Sequence, residues 1–498
     1  MTRIRMAEGN PCASMGSALA LLIVLFGLNG MASAQTQEHW PQFRGLGSRG
    51  IASGTHLPVR WSATENVAWK TDLPGRGWSS PIAWGDRVLL TTAVNSGELE
   101  SPTKGLYFGG NRPEPRKVQL DYKVLCLDLA SGKRLWERSV HQGPSNSPIH
   151  LKNSFASETP VTDGKRVYAY FGNQGLHCLD LDGRLVWSRP MDPRPTRNGW
   201  GPAASPVLHG ERLYLVNDNE QESFLIALDK NTGEQVWRAG RDEKSNWATP
   251  FIWENYRRTE IITPGTGKTR SYGLDGKLLW EFGGMSSHTI PTPLAAHGLL
   301  FVTSGYINTP VRPLFAIRPG ATGDITLPED QAANQYIAWC QRKAGPYNPS
   351  PIVYGDFLYV LYDRGMIACY DARTGKEVYG LRRIGPGAKA FTSSPWAYDG
   401  KIFCLNEDGV TFVLRAGTEF GVLHTNDLAD DDMCMATPAI IGDRLLIRTS
   451  RRVYCVRQNA RAPFALWDAA LPFPTRASLA FPDGMKDVMV HRAGADAY

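Results

Sequence analysis

An all-β fold, an eight-bladed β-propeller of four-stranded antiparallel blades, follows from three features of this 498-residue chain. A Ser-Pro or Thr-Pro, then an apolar stretch and a short turn, recurs eight times, with prolines at 81, 160, 206, 250, 293, 351, 395 and 438. Five of the seven intervals fall within 43–46 residues, and the two long ones carry insertions. Each unit has the anatomy of a blade, as in 205–218 (SPVLHGERLYLVND) and 350–363 (SPIVYGDFLYVLYD): strand, Gly-centred turn, strand. A third strand then ends in Asp, followed by a turn and a Trp that opens a fourth strand. Examples are 126–136 (CLDLASGKRLW), 178–187 (CLDLDGRLVW) and 227–237 (ALDKNTGEQVW). Four short strands per repeat cannot bury their faces alone; stacked neighbours and ring closure do so.

The N-terminus reads as an address. Arg3 and Arg5 precede the apolar run Ala18–Leu28, too short to span a bilayer, and Ala32-Ser33-Ala34 supplies a cleavage site. The expected organisation is a secretory signal peptide (1–34), an N-terminal strap (35–60), the propeller (61–460) and a C-terminal tail (461–498). Export with cleavage near Ala34 places the chain in the periplasm or outside the cell, with no transmembrane segment. The last unit, ending at Val453–Val456, lacks its own Trp strand. Glu65–Lys70, around Trp69, supplies one, so this N-terminal strand is expected to complete blade eight and close the ring.

Charge is mild: 54 basic against 48 acidic residues, a net +6, with no Lys/Arg block. A nucleic-acid partner held by phosphate contacts is therefore not expected. Seven cysteines follow the signal segment. Cys126, Cys178, Cys369 and Cys455 share a slot that holds Ala227 elsewhere, the mark of a small buried position, so reduced, mutually distant thiols are expected rather than a disulfide framework. The pairing of Cys340 and Cys434 stays open.

The Asp-turn-Gly-Trp units at 128–136, 229–237 and 275–280 resemble those of the quinoprotein-type (PQQ-like) propellers, over roughly residues 60–458. The resemblance implies that Trp69, Trp136, Trp187, Trp237 and Trp280, with Tyr379 as a variant, stack between adjacent blades. Units five (320–325) and seven (417–422) lack the aromatic. The resemblance splits between pyrroloquinoline-quinone dehydrogenases, which bind the quinone with calcium above the channel, and non-catalytic propellers of the outer-membrane-assembly scaffold type. There is no adjacent Cys pair and no Cys-x-x-Cys-His, and few long loops are available to roof a cofactor. The chain thus stands closer to the scaffold branch, and neither catalysis nor a cofactor is firmly implied.

A site in this fold would lie at the channel mouth, at the residues that precede each Ser/Thr-Pro. Trp78, Trp200, Trp247, Tyr347 and Phe391 stand there, with Arg76, Arg197, Lys244 and Lys389 two or three positions earlier. Aromatic faces beside cations suit a flat or anionic ligand. The same aromatics could simply plug the channel. Asp430-Asp431-Asp432 reads as a solvated acidic loop, Glu158 as a lone inward carboxylate, and the insertion 95–121 as a partner-contact loop. Three readings compete: a binding or scaffold module for protein or an anionic ligand, a PQQ- and calcium-dependent alcohol or sugar dehydrogenase, and a carbohydrate-binding propeller.

Overall fold

The computed structural model describes residues 39–458, apart from 55, 98, 99, 116 and 117; the expected signal peptide and C-terminal tail lie outside the described residues. These residues form eight sheets in chain order, six of four strands and two of five, antiparallel but for one added edge strand. Blade 1 runs Ile82–Trp84, Arg87–Asn95, Gln119–Asp128 and Arg134–Pro144, from the channel outward. Blade 8 is built from Ala439–Ile441, Arg444–Arg448 and Arg452–Arg457, and its outer strand is Val67–Asp72. Trp69 pairs there with Cys455, so the N-terminal strand closes the ring as expected.

The Ser/Thr-Pro repeat has a mechanical cause. The N–H of Ser80 donates to Thr159 Oγ1 (3.0 Å), that of Thr159 to Ser205 Oγ (2.9 Å), and that of Ser205 to Thr249 Oγ1 (3.1 Å). On the other side Thr292, Ser350 and Ser394 donate in turn to Ser350, Ser394 and Thr437, each at 3.0 Å. Six of the eight blades thus offer a hydroxyl acceptor to a neighbour's backbone at the channel wall. This satisfies a buried donor that no ladder reaches.

The Asp-turn-Gly-Trp unit also acts between blades. The indole N–H groups of Trp69, Trp136, Trp187 and Trp237 donate to the carbonyls of Leu129, Leu181, Lys230 and Leu274 in the next blade, at 2.9–3.1 Å. Each ring lies flat on the next blade's turn glycine. A Cβ at Gly132, Gly183, Gly233 or Gly276 would sit 2.5–2.8 Å from it, and all four have φ between +69° and +85°. Glycine is needed there both for the left-handed backbone and for the indole's close approach. The aspartate caps the turn: Asp128 Oδ1 accepts from the Ser131 N–H, and Asp180 and Asp229 do likewise in their blades.

One reading of the girdle is corrected. Unit five does have its aromatic: Trp339, on the outer strand Ile337–Gln341, donates to Ala372 O (3.1 Å) and covers Gly375. The insertion 321–336 had displaced it in sequence; within it, Gly323–Asp324 adds in parallel to the edge of blade 4. In unit seven His424 holds the slot opposite Val413, with Nε2 2.9 Å from Val59 O. Trp280 is fully buried among residues of blades 4 and 5, but it donates to the carboxylate of Glu260 in its own blade instead of to a carbonyl next door. All seven described cysteines are buried and free.

The segment before Trp69 floors the channel. His39–Trp40 pairs with Ile82–Trp84 at the turn end of the innermost strand. Pro41 O accepts from Thr162 N–H of blade 2, Arg44 Nη2 donates to Pro351 O of blade 6 (2.7 Å), and Ile51 bridges Ala397 of blade 7. The strap leaves past Trp61, whose N–H donates to Asn426 of blade 7, and runs into the outer strand of blade 8.

Candidate functional site

Floor, ring and mouth enclose an axial chamber of about 450 Å³. Phe43 forms its floor and the eight Ser/Thr residues before the prolines form its waist. Its upper wall is aromatic: Trp78, Trp200, Trp247, Tyr306 and Tyr347. The rings touch in series. Trp200 lies 5.9 Å from Trp247, Trp247 stacks on His288 at 5.7 Å and 10°, His288 meets Tyr306 at 4.4 Å, and Tyr306 meets Tyr347 at 5.2 Å. Hydrogen bonds pin the indoles: Trp200 donates to Gly110 O (3.1 Å) and Trp247 to Gly201 O (2.6 Å).

The expected site residues fall into three groups. Trp78, Trp200, Trp247 and Tyr347 line the chamber. Phe391 does not. Its N–H is held by Asp363 O, the preceding Ala390 is left-handed, and the ring turns into the core between blades 6 and 7, 5.9 Å from Phe412. The basic residues stand outside the wall. Arg197, Lys244 and Lys389 are exposed, and half-buried Arg76 reaches Glu100 O. Cations and aromatics that share a sequence offset therefore part company in space: four of the five aromatics turn to the axis and most of the cations to solvent.

The insertion 95–121 roofs the mouth, a correction to the reading that few long loops could cover it. Gly105–Phe108 enter the chamber wall, and Phe108 packs edge-on to Trp200 at 5.8 Å. A buried ion pair not foreseen in the sequence clamps this roof. Lys152 of blade 2 reaches Glu407 of blade 7 at 2.5 Å and also donates to Gly105 O (2.9 Å). Glu407 accepts further from the Gly105 N–H (2.8 Å) and the Thr392 hydroxyl (2.6 Å). Lys104 pairs with Asp408 beside them (2.7 Å). A signal existed, because Lys152 stands three positions before Phe155, the same offset as Lys244 before Trp247. Its partner could not be read, since 255 residues separate the two. His150 in the wall, 5.2 Å from Trp200, and His288, stacked on Trp247, have their pKa lowered by burial.

The other carboxylates lie elsewhere. Glu158 does not line the chamber. It is buried in a small neighbouring space with Tyr122 and Phe171, and burial pushes its pKa to about 8. The acidic triplet is not simply solvated. Asp432 accepts from Thr449, Ser450 and the Arg451 N–H, Asp430 from Arg452 and Tyr454, and only Asp431 projects outward.

A calcium-bound quinone does not fit these residues. Among the described residues no three His, Cys, Asp or Glu side chains converge as a metal site. The carboxylate beside the chamber, Glu407, is already neutralised by the Lys152 ammonium and engaged by Thr392 and the roof backbone, so a calcium ion there would have to displace that cation.

The family described as "Outer membrane protein assembly factor BamB" matches residues 120–379, more than half of the chain, and the chain belongs to that family of PQQ-like propellers. Curated relatives include the outer membrane protein assembly factor BamB of Kangiella koreensis, 28% identical over 116 residues (23% of this chain, 26% of the relative). That of Alkalilimnicola ehrlichii is 25% identical over 178 residues, 36% of each chain. A 1-butanol dehydrogenase (quinone) of Thauera butanivorans is 23% identical over 211 residues, 38% of this chain and 28% of that one. The chain thus spans about a quarter to a third of these relatives. Among solved structures, BamB from Moraxella catarrhalis superposes with TM-score 0.50 at 11% identity, covering 78% of this chain and 99% of that one. The quinohemoprotein alcohol dehydrogenase of Comamonas testosteroni gives 0.56 at 11% identity, over 86% and 82%. At that identity the likeness speaks for the fold alone.

Proposed function

We propose that this chain is an exported, non-catalytic binding propeller that holds a small, flat ligand in the roofed axial chamber. The carrying observation is the aromatic wall itself: Trp78, Trp200, Trp247, Tyr306 and Tyr347 come from five different blades and converge only because the ring closes. A roofed but open cavity of about 450 Å³ is in the size range of small-molecule sites. A scaffold role in envelope assembly, which the relatives' names suggest, would then use the outer surface of the ring. Export to the periplasm accords with the N-terminal signal pattern, and among the described residues no helix is long and apolar enough to cross a membrane.

Trp247→Ala tests this reading. Loss of one stacking face should weaken a bound aromatic probe about tenfold while the protein stays folded. An aromatic wall that only plugs the channel gives the opposite result: a large melting drop, and no probe bound by the parent protein. Addition of PQQ and calcium with a dye-linked assay should yield no turnover; turnover would return the chain to the dehydrogenases.

A further inference from the structure

A second cavity of about 470 Å³ opens beside the chamber, between blades 5 and 6, and adjoins it at Leu106, Ile307 and Tyr347, which line both. Its mouth-side charge is positive. Gln341 pairs with Leu314, which puts Arg312 and Lys343 at the mouth end of blade 5, and Arg364 occupies the mouth-end turn before Met366 in blade 6. Among the described residues none of the three makes an ion pair, and Arg312 alone has a side-chain hydrogen bond, from Nη2 to Ile307 O (3.3 Å). Two acids share the cavity. Asp363 is buried and turned to the approach loop, where it accepts from the Tyr347 (3.2 Å) and Asn348 (3.1 Å) N–H groups. Glu377 pairs with Tyr370, at the far end of the strand from Arg364. Tyr362 and Tyr370 supply aromatic surface between.

We infer that this side cavity is an anion subsite, and that the protein's ligand is an aromatic compound bearing a carboxylate, sulfonate or phosphate group. Its flat part would lie in the chamber and its charge between Arg312, Lys343 and Arg364. The inference rests on the chamber reading but commits to more. Arg76, Arg197, Lys244 and Lys389, the cations expected at the site, stand outside both cavities; apart from Lys152, which is paired with Glu407, the cations that line a cavity occupy blades 5 and 6.

Two fluorescent probes of similar ring system separate the claims: anionic 8-anilinonaphthalene-1-sulfonate and neutral N-phenyl-1-naphthylamine. Both should bind the full chain, and only the sulfonate should weaken as salt is raised, because partly exposed charges are screened within about 8–10 Å. The double variant Lys343→Gln, Arg364→Gln alters two exposed side chains without hydrogen-bond partners among the described residues, so its melting temperature should match the parent. It should bind the sulfonate at least about fivefold more weakly and the neutral probe unchanged. Equal loss, or no loss, of both probes overturns the anion subsite. If Trp247→Ala still weakens the neutral probe in that case, the chamber reading survives without it. If neither probe binds the parent, both readings fall.

Discussion

At the scale of single residues the fold rests on pairs whose members lie some 40 to 60 positions apart. Gly233→Ala puts a methyl into the Trp187 ring face and a side chain at φ +75°. A left-handed backbone and an overpacked contact together should cost about 2–4 kcal/mol, read as a lowered thermal midpoint. The turn glycine Gly210 also has positive φ but meets nothing within 4 Å, so its Ala variant should lose only the backbone part. Glu158 gives a pH signature. Its folded pKa, about 8, exceeds the usual carboxylate value, so the folded state keeps a proton that the unfolded chain has released. Stability should therefore fall as pH rises from about 4.5 to 8 and level off above it. Glu158→Gln should remove that slope and melt several degrees higher than the parent at pH 8.5. An unchanged slope would place the titration on another group.

At the scale of elements, two long-range ties decide whether ring and chamber are closed. The outer strand Val67–Asp72 belongs to blade 8 although it begins the propeller in sequence. Trp69→Ala removes a nearly buried indole and its bond to Leu129 O, an expected loss of about 3–5 kcal/mol in denaturant unfolding. Deletion of residues 60–73 should bare the Arg452–Arg457 edge and lead to aggregation on size exclusion. The roof depends on the Lys152–Glu407 pair. Glu407→Gln leaves a nearly buried ammonium without its counter-charge, at a cost of about 3 kcal/mol or more. Limited proteolysis should then cut first within the insertion 95–121, and a cleavage pattern like the parent's would show that other contacts hold the roof.

At the scale of the whole molecule, Ser/Thr hydroxyl acceptors around the channel tie neighbouring blades together, so the ring is expected to unfold as one cooperative unit. One consequence concerns the thiols. All seven described cysteines are buried, and burial pushes the thiols of Cys126, Cys178, Cys369 and Cys455 up to about 12. They should stay silent to a thiol reagent in the native protein and react together on unfolding, with no disulfide found by mass spectrometry. Stepwise exposure would mean that blades unfold separately.

The blade count, the closing strand and the small buried cysteine slots were legible in the sequence. Each is a local pattern repeated at fixed period, and repetition averages out local ambiguity. The displaced Trp339 and the inward turn of Phe391 were not legible, because an insertion shifts the register and one left-handed residue re-aims a side chain without changing composition. The roof clamp was half visible, in the offset of Lys152, and its partner was hidden in another blade. Chain-local signals therefore determined that this protein is a closed eight-bladed ring with an aromatic mouth. Which aromatics reach the axis, which cations face a cavity and what covers the chamber were decided only by tertiary structure. Those choices depend on contacts between residues hundreds of positions apart, which ring closure alone brings together.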